Sequence, residues 1–135
     1  MASEPKTRPT DASVEDFIAA VENPVRRADA EVVCAMLAEV TGEKPVMWGP
    51  SIIGFGSYPG PTGDWPIAGF SPRKAQTVLY IVGFKGQEAL LARLGKHSVS
   101  VACLYVKKLA DVDLDVLRQI AEASVADTRA RYPAC

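Results

Sequence analysis

The spacing of apolar and polar residues divides the chain at about Val46. Before that point the apolar positions recur at helical intervals. Val14, Phe17, Ile18 and Val21 fall at i, i+3, i+4 and i+7, the repeat of one helix face. Ser13 stands ahead of them as an N-cap, with Asp16 three positions on in a weak form of the capping box. Pro24 stops or restarts this helix, because the residue before a proline avoids the helical region. Val33, Met36, Leu37 and Val40 repeat the spacing and predict a second helix. Gly42 then sits where a left-handed C-terminal cap belongs.

Beyond Val46 the apolar pieces shorten and are broken by glycine and proline. "SIIGFGSY", "PIAGF", "TVLYIV" and "SVACLYVKKL" are rich in branched and aromatic residues and predict strands. "TVLYIV" is apolar on both faces, which suits a central strand covered on both sides, or covered on one and paired in an oligomer. "QEALLARLG" interrupts the series with a short helix that buries Leu90, Leu91 and Leu94 and ends at Gly95. The closing "DVDLDVLRQIAEASVADTRARY" predicts a helix capped by Asp111 or Asp113. Leu114, Leu117, Ile120, Ala121, Ser124, Val125 and Thr128 form its inner face. Strands clustered between helices predict an α+β fold. It comprises two N-terminal helices, a four- to five-stranded mostly antiparallel sheet with a short inserted helix, and a C-terminal helix packed on the sheet.

Composition narrows the class. At 135 residues the chain is expected to form one domain over 13–132, able to bury a core without staples, after a polar tail over 1–12. The opening "MASEPKTRPTDAS" lacks the apolar run of a signal peptide. No run elsewhere approaches the roughly 20 apolar residues that cross a bilayer. Cys34, Cys103 and Cys135 are odd in number and scattered, without disulfide or metal spacing, so a reducing cytoplasm is the expected location. A formal net charge of -1 supplies no field for nucleic acid or an anionic membrane, and neither is an expected partner.

Several chemistries fail on spacing. A Walker loop ending at Gly95-Lys96 needs a glycine where Leu90 stands. A dinucleotide fingerprint begun at Gly54 and Gly56 needs one where Pro59 stands. His97 is the sole histidine, so a zinc site of several imidazoles is excluded. It is also the sole histidine base for a nucleophilic site, with Ser98 and Cys103 nearby. A solvated residue just past a helix end is the preferred reading, because Lys96 and His97 both suit the negative end of a helix dipole and no partner is specified for a base. No catalytic residue is assigned, and no cofactor is expected. Cys34 and Cys103 read as packing residues.

Three features point to binding. In "SPRK", Pro72 sets a turn that places Arg73 and Lys74 at a hairpin tip, where two cations can hold a phosphate or carboxylate. Trp48, Tyr58, Trp65, Tyr80 and Tyr105 lie on or near strands and can line a pocket or complete a core. Glu15, Asp16, Glu22, Asp111, Asp113 and Asp115 are acidic; the last three are hard-metal ligands or helix caps. The expected binding set for a small anionic ligand is Trp48, Ser51, Tyr58, Trp65, Arg73, Lys74, Lys96 and His97. The alternatives are a metal held by Asp111, Asp113 and Asp115, and a partner-binding or homodimeric module using the "TVLYIV" strand or the final helix.

"MWGPSIIGFGSY", "DWPIAGFSPRK", "LYI", "LARLGKH" and "CLYVKKLADVDLDVL", in that order, resemble one branch of the YdhG-like family, known as domain of unknown function 1801. The resemblance runs from about Val14 to about Arg131 and rests on the combination of WGPS, GFSPRK, GKH and ADVDLDVL. It implies a compact α+β domain but no established reaction. One relative is described as a frataxin-like iron chaperone, which makes iron the metal of the alternative reading. The chain departs from the branch in two places. An aromatic and basic stretch after GFGSY is shortened here to "PGPTGDW", and a lysine-bearing segment after GKH reads "SVSVACLYV". The cations that survive are Arg73 and Lys74, with Lys96 and His97.

Overall fold

The structure is a computed structural model that describes residues 12–49, 51–60, 63–81, 84–100 and 103–131. Helix α1 spans Val14–Ala19, and the Ser13 side chain accepts the amide of Asp16 as its cap. Helix α2 restarts at once over Pro24–Thr41. Pro24 occupies its first turn, where a missing N–H costs nothing. The Asn23 carboxamide accepts from Val25 and Arg26. Gly42 closes the helix at φ 71°, the left-handed cap expected of it.

The strands follow as β1 (Pro45–Trp48), β2 (Ile52–Phe55), β3 (Tyr58–Gly60), β4 (Gly63–Trp65), β5 (Ala68–Pro72) and β6 (Thr77–Leu79). Helix α3 spans Gln87–Leu94. Strands β7 (Ser98–Val99) and β8 (Leu104–Val106) come next, and helix α4 (Leu114–Arg131) ends the described chain. The main sheet is antiparallel in the order β1-β2-β5-β6-β8-β7, and β3-β4 is a separate hairpin.

The α+β class is the one expected, with six main-sheet strands in place of four or five. One of the additional strands, β1, is a four-residue piece between Pro45 and Gly49, too short for its period to register. Gly56, at φ 66°, bends the chain and divides "SIIGFGSY" into β2 and the start of the hairpin. The expected tail over 1–12 lies outside the described residues except for Ala12.

Register explains the core. Ile53, Phe70, Leu79, Leu104 and Val99 are successive partners across the sheet and share one face. The first four are fully buried beneath the helices, and Val99 is exposed at the β7 edge. Helices α2 and α4 cover this face, while α3 packs on α4 and α1 on α2 and β1. Helix α2 contributes Ala30, Val33 and Leu37, and α4 contributes Leu117, Ile120 and Ala121. The opposite face carries Gly54, Gly69, Ser71, Val78 and Tyr105. Strand β6 is internal to the sheet, and Val78 on its second face is only 3% exposed, so Thr77–Leu79 of "TVLYIV" is covered on both sides within one chain. Among the described residues no helix is long and apolar enough to cross a membrane.

Candidate functional site

A groove of about 580 Å³ opens where the α1–α2 junction meets the β5–β6 turn. Phe17, Ala20, Val21 and Pro72 form its apolar wall. Glu22, Asn23, Arg26, Arg73 and Lys74 complete it, three cations against one carboxylate. The volume lies within the range that encloses a small organic ligand.

The turn is held by hydrogen bonds. Pro72 pairs with Thr77, and the Arg73 amide donates to the Gln76 carbonyl, which leaves Lys74 at the exposed tip. The Arg26 Nε donates to the Arg73 carbonyl at 3.1 Å and its Nη2 to the Lys74 carbonyl at 3.4 Å. Arg26 is 7% exposed and makes no ion pair among the described residues. A guanidinium carries five N–H donors, so three remain beyond these two bonds.

Two of the five N–H groups of the Arg73 guanidinium are engaged elsewhere. Its Nε meets Ser71 Oγ at 3.3 Å and its Nη2 meets the Tyr80 hydroxyl at 3.1 Å. Ser71 in turn donates to the Ser51 carbonyl at 2.6 Å, which ties the β1–β2 turn to β5. Burial pushes the Tyr80 phenol above its ordinary value, and the adjacent Arg73 charge opposes that rise. Lys74 has no side-chain partner among the described residues and stands exposed at the groove.

The amides at the start of α2 are not available to a ligand. Pro24 has none, Asn23 Oδ1 takes those of Val25 and Arg26, and the Asn23 carbonyl takes that of Arg27. The charge in the groove comes from side chains, with only the diffuse field of the helix dipole behind them.

Of the eight residues expected to bind, only Arg73 and Lys74 line this groove. Trp48 is 2% exposed, and its indole packs against Gly54, where a Cβ would fall 2.6 Å from Nε1 and 2.8 Å from Pro66. It packs the second face of the sheet. Ser51 contributes a carbonyl to the Ser71 bond. Tyr58 and Trp65 are register partners in the β3–β4 hairpin, beyond the opposite end of β2 from the SPRK turn.

Lys96 and His97 follow the C-terminal end of α3. The Lys96 amide donates to the Asp111 carbonyl, and His97 Nδ1 stands 2.7 Å from the Gly95 carbonyl. Strand β7, which His97 precedes, lies two strands over from β6, about 10 Å across the sheet. These two residues and the groove do not form one cavity.

Of the three aspartates, Asp113 is placed by capping. Asp113 Oδ1 accepts the amides of Asp115 and Val116 at the start of α4. Asp111 belongs to a single 3₁₀ turn, Leu109–Asp111. Among the described residues no group of three or more His, Cys, Asp or Glu side chains stands close enough to share an ion.

Arg26 is the residue that periodicity passed over, although a signal for it exists. Stepping back by seven from Val33 and by four from Ala30 lands on position 26, so a charged residue occupies the buried face of α2. Comparison with models of known families, with curated proteins and with solved structures found no match to the chain.

Proposed function

We propose that the chain is a small, non-catalytic binding module whose ligand is an organic or inorganic anion held in the groove between α1–α2 and the SPRK turn. The observation that carries this reading is the state of Arg26. Among the described residues this buried cation has no carboxylate partner; it borders a cavity, and three of its N–H groups are uncommitted. Burying a charge without a counter-charge is costly. A bound anion supplies that counter-charge, and Lys74 at the rim adds a second attraction. The reading includes action in the cytoplasm, for which the scattered cysteines argue, and kinship with the YdhG-like family, for which the four motifs argue.

A thermal-shift series with phosphate, sulfate and small carboxylates tests it. A ligand present at 100 times its dissociation constant adds about 2.7 kcal/mol to stability, a readable rise in Tm. The rise is expected to shrink in Lys74→Gln, which sits on an exposed turn and leaves the fold intact. No rise with any anion would remove the proposal.

A further inference from the structure

Resting on that reading, we infer that the groove selects a carboxylate joined to an apolar body, and discriminates against a bare phosphate. Two features of the site lead there. The first is the missing backbone cradle. Phosphate sites characteristically offer several free amides at a helix start or in a nest. Here Pro24 and Asn23 remove every such donor from the first turn of α2. The side-chain cations that remain are the uncommitted N–H groups of Arg26 and Arg73 and the point charge of Lys74, which together can hold the two oxygens of one carboxylate.

The second feature is the wall. Phe17, Ala20 and Val21 present an apolar surface on the same side of the groove as Arg26, and Val21 is held in place by the Arg27 guanidinium, whose Nη1 donates to its carbonyl at 2.8 Å. A bare ion leaves that wall wet and most of the roughly 580 Å³ unfilled. A ligand with a hydrocarbon or aryl body removes that apolar surface from water, worth roughly 25 cal/mol per Å². Glu22 sits on the rim and repels a second negative charge, which favours a monoanion over a dianion.

The test titrates the labelled protein with 3-phenylpropionate, its uncharged amide, phenyl phosphate and inorganic phosphate, followed by amide chemical shifts. The expected result is 3-phenylpropionate perturbing residues 17–23 together with Arg73 and Lys74. Its amide and inorganic phosphate are expected to bind at least tenfold more weakly, and phenyl phosphate more weakly than the carboxylate. Lys74→Gln is expected to weaken 3-phenylpropionate several-fold while its unperturbed spectrum stays folded. Ala20→Glu, on an exposed position of the wall, is expected to abolish binding.

Inorganic or phenyl phosphate binding as tightly as the carboxylate would overturn the selectivity and leave the anion groove standing. An amide that binds as well as the acid would overturn the role of charge. Silence of residues 17–23 and 73–74 towards every anion would remove the groove reading itself.

Discussion

The Arg26 guanidinium donates to the carbonyl oxygen of Arg73, so two cations 47 residues apart are joined through a backbone oxygen. The bond, with its neighbour to Lys74, clamps the β5–β6 turn to the first turn of α2. The groove exists because of this clamp. One side belongs to the helix junction and the other to the turn, and nothing in either segment alone would set their separation.

Arg26→Ala removes both bonds and is expected to lower stability by about 2 kcal/mol, in the range for hydrogen bonds made by a charged donor. Arg26→Lys is expected to recover less than half of the loss, because an ammonium lacks the planar fork that spans two carbonyls. Urea unfolding of the three proteins measures this directly, and equal stability of the lysine variant would show that charge alone holds the turn.

Gly95 is expected to tolerate no side chain. Its φ is 114°, and a Cβ there would stand 2.5 Å from the Asp111 carbonyl oxygen, a backbone atom that cannot swing aside. Gly95 bridges to Val112, and the Asp113 amide donates to the Leu94 carbonyl at 2.7 Å. Gly95→Ala should therefore cost roughly 3 kcal/mol, near the top of the usual range for one substitution. A loss below about 1 kcal/mol in a urea melt would contradict the close approach.

Gly54→Ala drives a methyl into the Trp48 indole and Pro66. Overpacking of this kind costs typically 1–3 kcal/mol. The indole should lift from the sheet, with Trp48 fluorescence shifting to the red and becoming open to acrylamide. Trp65, already 38% exposed, provides the quenchable background, so the comparison is best made in Trp65→Phe. Unchanged emission and quenching would mean that Trp48 does not lie over Gly54.

Tyr80 is expected to ionise later than an ordinary tyrosine, whose reference value is 10.0, because burial disfavours the phenolate. Since the folded state holds its proton more tightly than the unfolded chain, this contribution is present below that value. It is lost as pH rises through the higher folded one. Arg73→Gln removes a charge that favours the phenolate and should raise the transition further. Tyrosinate absorbance, differenced against Tyr80→Phe, follows it; a fall on losing Arg73 would contradict the 3.1 Å contact.

The helices were legible because their signals are local. Ser13, Pro24 and Gly42 do in the structure what their side chains and backbone preferences dictate, and the buried face of α2 carries the periodic Val33 and Leu37. The strands were legible where branched residues ran together, as in Thr77–Leu79. Strand β7, two residues with exposed side chains, takes its identity from pairing with β8 and left little local trace.

The motifs show a sharper divide. WGPS supplies Trp48 to cover Gly54, and GKH supplies Gly95 to admit the backbone of ADVD. Their residue types are conspicuous in sequence, yet the partners that explain them lie elsewhere in the chain. SPRK is the motif that reaches the groove, and it does so opposite Arg26, which carries no motif at all.

The amino-acid order by itself determined the α+β class, the caps at Ser13 and Gly42 and the position of two cations on a tight turn, because capping, period and turn chemistry act over a few residues. It did not set the end of α1, which stops at Ala19, short of Val21. Tertiary structure alone decided which aromatic residues pack and which charges meet. Register and helix docking bring residues 17–26 against 72–74, and a cavity is a property of that approach. A buried charge such as Arg26 becomes informative only once its surroundings show that, among the described residues, no carboxylate has come to meet it.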